Sequence, residues 1–219
     1  MTILLDKTNV EITKAIYKSQ HCQRNWDLSK EIPAEDLELL VTAATQCPSK
    51  QNVAYYKAHF ITNRDIIEAI HEQTDGFTVG FFPKKTTTNT QVLANLLVVL
   101  ESYFIEPDPS HRNDQWDRVK NGTANPGIMK FIERDRNMAI GVAAGYLNVT
   151  ATLMGYSTGC CACFNPDGIK EILGLENDPV LLMGIGFKDP SLNRRVHHND
   201  HTFMFPTKAK QPIPTNFVK

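Results

Sequence analysis

Apolar residues recur along the chain at two spacings, and each spacing predicts a different element. From Ile32, the residues Leu37, Leu40, Val41 and Ala44 fall on one helical face. Pro33 suits the first helical position, Glu35 and Asp36 suit the positive end of the helix dipole, and the helix should end before Cys47 and Pro48. Lys57 to Thr62 reads as a strand, and Arg64 to Glu72 as a short helix built on Ile66, Ile67 and Ile70. Leu96 to Leu100 is a continuous β-prone apolar run, the pattern of a strand buried on both faces, and Val180 to Phe187 is a second one. Asp135 to Met154 predicts a long helix apolar nearly all round, which must be buried in the core or against a partner chain. Within it Gly141, Ala143, Ala144 and Gly145 would let another backbone approach closely. Asn165 as cap, Pro166 in the first turn and Gly174 beyond the end bracket a helix carrying Ile169, Ile172 and Leu173.

The polar, turn-rich stretch from about 106 to 127, with three prolines, two glycines and Trp116, predicts a flap or loop. The tail from 206 to 219 has three prolines and no helical period, so it should be extended, either fraying or clasping another subunit. With 219 residues, the expectation is one domain spanning the whole chain, 1–219.

Charge narrows the partners. The 23 Lys and Arg against 24 Asp and Glu leave a net charge of -1, too little positive charge to favour a nucleic-acid backbone. The most apolar stretches, such as Val92 to Leu100, are too short for a helix that spans a bilayer, so no membrane partner is expected. Met1 to Val10 lacks the pattern of a secretory signal. Five cysteines, with Cys160, Cys161 and Cys163 crowded together, do not form a disulfide framework, and a reducing, cytoplasmic setting fits better.

Gln20-His21-Cys22-Gln23-Arg24-Asn25-Trp26 is followed, after one helix, by Cys47-Pro48-Ser49-Lys50-Gln51-Asn52. Towards the end come the buried helix, Gly155, the strand end at Cys160 to Phe164, the capped helix at Asn165, the run Val180 to Gly186 and the pair Arg194-Arg195. This ordered set, from about Lys18 to Arg195, resembles the nitroreductase family. The resemblance implies an α+β fold with a mixed, mainly antiparallel sheet flanked by helices and an intertwined homodimer. It also implies FMN at the dimer interface, with hydride taken from NADH or NADPH and passed by a ping-pong mechanism to a small electron-poor acceptor such as a nitroaromatic or a quinone. No side chain is needed as nucleophile or general base, because the chemistry belongs to the cofactor. The absence of a G-x-G-x-x-G loop is consistent with a nicotinamide that only stacks and leaves.

Carried over by position, the resemblance assigns His21, Cys22 and Arg24 to the FMN phosphate, ribityl chain and pyrimidine edge. A cation at Arg24 would offset the negative charge that reduction leaves on the ring. Pro48, Ser49 and Asn52 match the segment offered by the partner chain, and Asn89 or Gln91 the region that hydrogen-bonds the flavin. Ala162 and Cys163 stand where backbone N–H groups approach flavin N5, and Arg194 and Arg195 match the basic residues on the phosphate. The chain also departs from the pattern. Gln20 replaces the first basic residue and Cys22 the usual serine, so FMN affinity should fall. Ala162-Cys163 replaces Glu-Gly above the flavin, where substrate preference is set.

The bland alternatives are solvated surface charge for the arginines, a hydrogen-bonded structural role for His21, and simple helix-ending or turn roles for Pro48, Ser49 and Asn52. Adjacent cysteines on a strand face opposite ways, so Cys160, Cys161 and Cys163 read as small packing residues. A mixed site with His197, His198 and His201 is the lesser reading. Rival functions are another flavin reaction on the same scaffold, namely dehydrogenation, dehalogenation or flavin fragmentation, and a non-catalytic flavin- or metal-binding protein.

Overall fold

The structure, a computed structural model, describes residues 2–75, 89–103, 117–119, 121–197, 201–205 and 209–218. Helix α1 (Thr2–Ser19) is followed by α2 (Ala34–Thr45), β1 (Tyr56–Ile61), α3 (Arg64–Glu72), β2 (Leu96–Ser102), α4 (Pro126–Leu153), β3 (Ser157–Cys161), α5 (Pro166–Leu173) and β4 (Pro179–Gly186). The strands form one sheet in the order β1-β2-β4-β3, and every pairing among the described residues is antiparallel, as the mainly antiparallel sheet expected above implies.

Strand alternation builds two cores from one sheet. Leu96, Val98 and Leu100 of β2, with Met183 and Ile185 of β4, pack against Leu40 and Ala44 of α2 and Ile140, Leu147 and Ala151 of α4. Leu97, Val99 and Leu182 point the other way, onto Ile67 and Ile70 of α3 and Ile169 of α5. Burial on both faces is why β2 reads as an unbroken apolar run, and the whole stretch Leu96 to Leu100 is fully buried.

The predicted elements are present, with some different ends. Pro33 caps α2 from outside where the first helical position was expected. Helix α4 starts at Pro126, well before Asp135: Asn125 accepts a hydrogen bond from Ile128 N at 3.0 Å, and Pro126 takes the first turn. The helix thus takes Pro126 and Gly127 from the stretch expected as a flap or loop, of which residues 106–116, Trp116 included, and 120 lie outside the described ones. Of the tail expected at 206–219, residues 209–218 have no regular structure and are exposed, and 206–208 and 219 lie outside the described residues. Helix α1 has no counterpart in the sequence reading: Val10, Ile12, Ile16 and Tyr17 are exposed and only Ala15 is buried among its described side chains, so no core-facing stripe announces it.

The all-round apolar pattern of α4 is also only half satisfied within the chain. Ala139, Ala143 and Leu147 are buried, but Met138, Val142 and Tyr146 are exposed. These three lie four residues apart and form one stripe beside the equally exposed Gly141 and Gly145.

Candidate functional site

The segment after α1 crosses the ends of β3 and β4 and is stapled there. Gln23 N donates to Thr158 O at 2.8 Å, Asp27 N donates to Phe187 O at 2.9 Å, and Trp26 Nε1 donates to Thr90 O at 3.0 Å. The Gln23 side-chain oxygen accepts from the backbone N–H of Arg24 and Asn25, which fixes the turn. Arg24 is half-buried, its guanidinium 4.4 Å above the Phe205 ring centre, and its Nη1 donates to Cys22 O at 3.5 Å. Its Nε is buried without a hydrogen-bond partner among the described residues.

Beside this segment lies a cavity of about 270 Å³ lined by Lys18, His21, Lys188 and Arg194 and by the hydroxyl residues Thr152, Ser157 and Thr158. Helix α1 delivers Lys18, whose Nζ donates to Gly155 O at 2.9 Å. Burial, and next the charge of Lys188, hold the Lys18 ammonium below its ordinary range. Three cations and a histidine around one cavity could hold an anion. Arg195 does not line it: its Nε donates to Phe205 O at 2.7 Å. Gln20 is exposed, whereas Lys18 and Lys188, neither of which the motif singles out, line the cavity. Lys188 reaches the site because Trp26 bridges it in antiparallel register, a long-range pairing with no sequence signal.

At the end of β3, Gln91 Nε2 donates to Asn89 Oδ1 at 3.1 Å and to Cys160 O at 3.4 Å, while its Oε1 is buried and unpartnered among the described residues. Asn89 Nδ2 donates to Cys163 O at 3.2 Å and also to Asp75 O. A side chain at Gly159 would put its Cβ 2.6 Å from Gln91 Cβ, 2.8 Å from Gln23 O and 3.0 Å from Cys22 Sγ, so this strand must be bare for the elements to meet. Cys22, Asn89, Gln91 and the Cys160 to Cys163 segment thus come together, with Ala162 and Cys163 exposed. Burial raises the Cys22 thiol against the opposing influence of Arg24 and Arg194. Cys160 is exposed and Cys161 turns into the core, where burial pushes its thiol up to about 11. His197 is buried against Phe203 and Phe205, and His198 lies outside the described residues.

Ser49 and Asn52 line a different cavity, of about 430 Å³, with Cys47, Val53 and Tyr56. Ser49 Oγ donates to Val53 O at 2.7 Å, and Gln51 and Asn52 take left-handed backbone angles, φ 56° and 55°. Lys50 pairs with Asp135 at 2.6 Å and fastens the segment, Pro48 included, to α4. Within one chain the predicted residues therefore fall into two groups.

The family model described as the nitroreductase family matches residues 17–187, and the chain belongs to that family, one of flavin-dependent oxidoreductases. A proposed NAD(P)H:FMN oxidoreductase of Staphylococcus epidermidis is similar in structure, with TM-score 0.63 and 17% identity over 94% of this chain and 95% of that one. The proposed nitroreductase ydfN of Bacillus subtilis gives TM-score 0.64 and 14% identity over 95% and 99%. A proposed nitroreductase of Exiguobacterium sibiricum in complex with FMN gives TM-score 0.58 and 19% identity over 84% and 90%. At such identities the likeness is one of fold: α+β, nitroreductase-like. No curated protein matches in sequence. No helix among the described residues is long and apolar enough to cross a membrane.

Proposed function

We propose that this chain is an FMN-dependent oxidoreductase that works as a homodimer, accepting hydride from NADH or NADPH and delivering it to small electron-poor acceptors such as nitroaromatics or quinones. The observation that carries the reading is the cavity where Lys18, His21, Lys188 and Arg194 converge with three hydroxyl residues. Such a donor set suits a phosphate monoester, since charge-assisted hydrogen bonds to phosphate oxygens are among the strongest available to side chains. When bound, FMN would supply hydride transfer in both directions. Everything else is position and charge.

Lys18, Lys188 and Arg194 hold the phosphate, with His21 at the rim. Arg24, next to Cys22, faces the pyrimidine edge and offsets the negative charge that reduction adds there. Asn89 and Gln91 set the hydrogen-bonding edge of the ring, and the backbone N–H groups of Ala162 and Cys163 approach it from β3. Pro48, Ser49 and Asn52 serve the cofactor of the partner subunit, which accounts for their distance from the first group. Arg195 fastens the phosphate side through Phe205. The nicotinamide donor leaves before the acceptor takes the same place, so the mechanism is ping-pong.

Purified protein should be yellow and should bleach when NADH or NADPH is added without oxygen, and two-substrate kinetics with a quinone should give parallel double-reciprocal lines. Intersecting lines, or a yellow protein that neither nucleotide reduces, would overturn this reading.

A further inference from the structure

The runs Arg195–His197 and Phe203–Phe205 pair as a small antiparallel clip. Phe205 N donates to Arg195 O at 2.7 Å, His197 N donates to Phe203 O at 3.0 Å, Val196 bridges Met204, and Arg195 Nε returns a 2.7 Å bond to Phe205 O. The clip is tied to the opening segment by Asn25, whose Nδ2 donates to Asn193 O and Val196 O, both at 2.8 Å. Its apolar side is a stack, with the Phe203 and Phe205 rings edge to face at 5.2 Å and His197 6.0 Å from Phe205. Phe205 is only 6% exposed, so its ring is held rigidly.

Onto that ring sits Arg24, its guanidinium carbon 4.4 Å from the centroid. An aromatic face attracts a cation through its quadrupole yet uses none of its N–H donors and none of its charge. A carboxylate in the same place would do the reverse. It would fix the side chain by neutralising it and occupying its fork.

We infer that Phe205 is a positioning residue for Arg24: it holds the guanidinium in place while leaving it charged and free to donate, and so sets the reduction potential of the flavin. The inference rests on the flavin-facing role of Arg24 given under Proposed function. Phe205 touches neither substrate nor cofactor in this role, and acts through Arg24 alone. The clip thereby links the chain beyond β4 to the electronics of the site.

The test is the FMN midpoint potential of the holoprotein in Phe205→Leu, Phe205→Tyr, Phe203→Leu and Arg24→Ala. Phe205→Leu should lower the ratio of reduced to oxidised FMN affinity about tenfold, about 30 mV for a two-electron couple. Phe205→Tyr, which keeps the aromatic face, should restore it. Phe203→Leu loosens the same stack without removing the ring under Arg24, and should leave the potential in place. Should Phe205→Leu fail to retain FMN, the Arg24 Hε resonance of the apoprotein gives the second readout. The ring current should displace it in wild type and Phe203→Leu but not in Phe205→Leu. A potential that shifts in Arg24→Ala and not in Phe205→Leu, or an Hε signal indifferent to Phe205, overturns the inference alone. No shift in Arg24→Ala overturns the flavin-facing reading as well.

Discussion

Arg24 and Arg194 carry the same charge into different surroundings, and under the proposed function that difference would separate redox chemistry from binding. Arg24 lies on Phe205 beside the Cys22 carbonyl, whereas Arg194 shares its cavity with Lys18, His21 and Lys188. Phosphate charge does not depend on the redox state of FMN, but ring charge does. Arg24→Ala should therefore lower the flavin midpoint by roughly 30 to 60 mV, the equivalent of a charge-assisted hydrogen bond of about 1.5 to 3 kcal/mol. Arg194→Ala should weaken FMN binding about tenfold or more and leave the midpoint nearly unchanged. Spectroelectrochemical titration and FMN dissociation constants for both variants check the pair; equal effects on the two quantities would refute the division. A buried carboxyl outside the proposed site, Glu101, contributes to the acid sensitivity of the fold. Burial alone would raise the Glu101 carboxyl, but hydrogen bonds from Asn177 N at 2.8 Å and His59 Nε2 at 2.7 Å, with the Asn177 side chain and the Lys57 charge, outweigh it and hold the group below its usual range. Its folded pKa is depressed, so the stabilisation is complete above the unfolded value, near 4.3, and is lost as pH falls through the folded one. Glu101→Gln should cost about 1 to 3 kcal/mol at neutral pH and flatten the loss of stability below about pH 4, measured by urea denaturation at stepped pH.

Among the elements, what the sequence announces and what it hides follow from how local the cause is. Helix α3 is readable from the spacing of Ile66, Ile67 and Ile70, and the frame of α5 from Pro166 and Gly174, which act within a few residues: Gly174 takes φ 63°, although Asn165 makes no side-chain capping bond. The start of α4 is not readable, because Lys130, Glu133, Arg134 and Arg136 break the apolar pattern over its first turns. For the candidate site, Asn89 and Gln91 come together with the Cys160 to Cys163 segment beside the legible strand β2, and Cys22 and Arg24 are legible only through the motif that carries the resemblance, since the helix before them is not. Lys188 and Phe205 are hidden because strand register and an aromatic clip bring them in from remote positions, and Lys18 because it ends α1, a helix that no core-facing stripe announces. Register also makes glycine necessary where the elements meet. At Gly184 any Cβ would run into Gln91 O, and at Gly159 it would crowd Gln91 Cβ at 2.6 Å. Gly159→Ala should destabilise the fold by about 1 to 3 kcal/mol and displace Gln91, with FMN affinity falling more than stability requires. Thermal melts with and without added FMN measure both, and a full FMN-induced rise in Tm in the variant would show that Gln91 does not serve the site.

For the whole molecule, the question is what covers α4. Met138, Val142 and Tyr146 are 62%, 37% and 46% exposed in the single chain, and they line one side of a helix whose opposite side is fully packed. Scattered apolar residues on a surface need no explanation, but a stripe of this length beside exposed Gly141 and Gly145 lets a second backbone come close. The division of the predicted residues points the same way: Ser49 and Asn52 line one cavity and Lys18, His21 and Arg194 another, and a second chain would bring one group to the other. Light scattering should give twice 24.7 kDa. Val142→Asp should halve that mass, because a carboxylate buried without a partner costs several kcal/mol at an interface and almost nothing on a solvated helix face. The far-ultraviolet circular dichroism should stay as in wild type, since Val142 belongs to neither core cluster. Bound FMN should be lost together with the dimer, as half of each site would leave with the partner. A wild-type monomer carrying a full complement of FMN would refute the shared site, and a monomeric Val142→Asp that still binds FMN tightly would show that each chain completes its own.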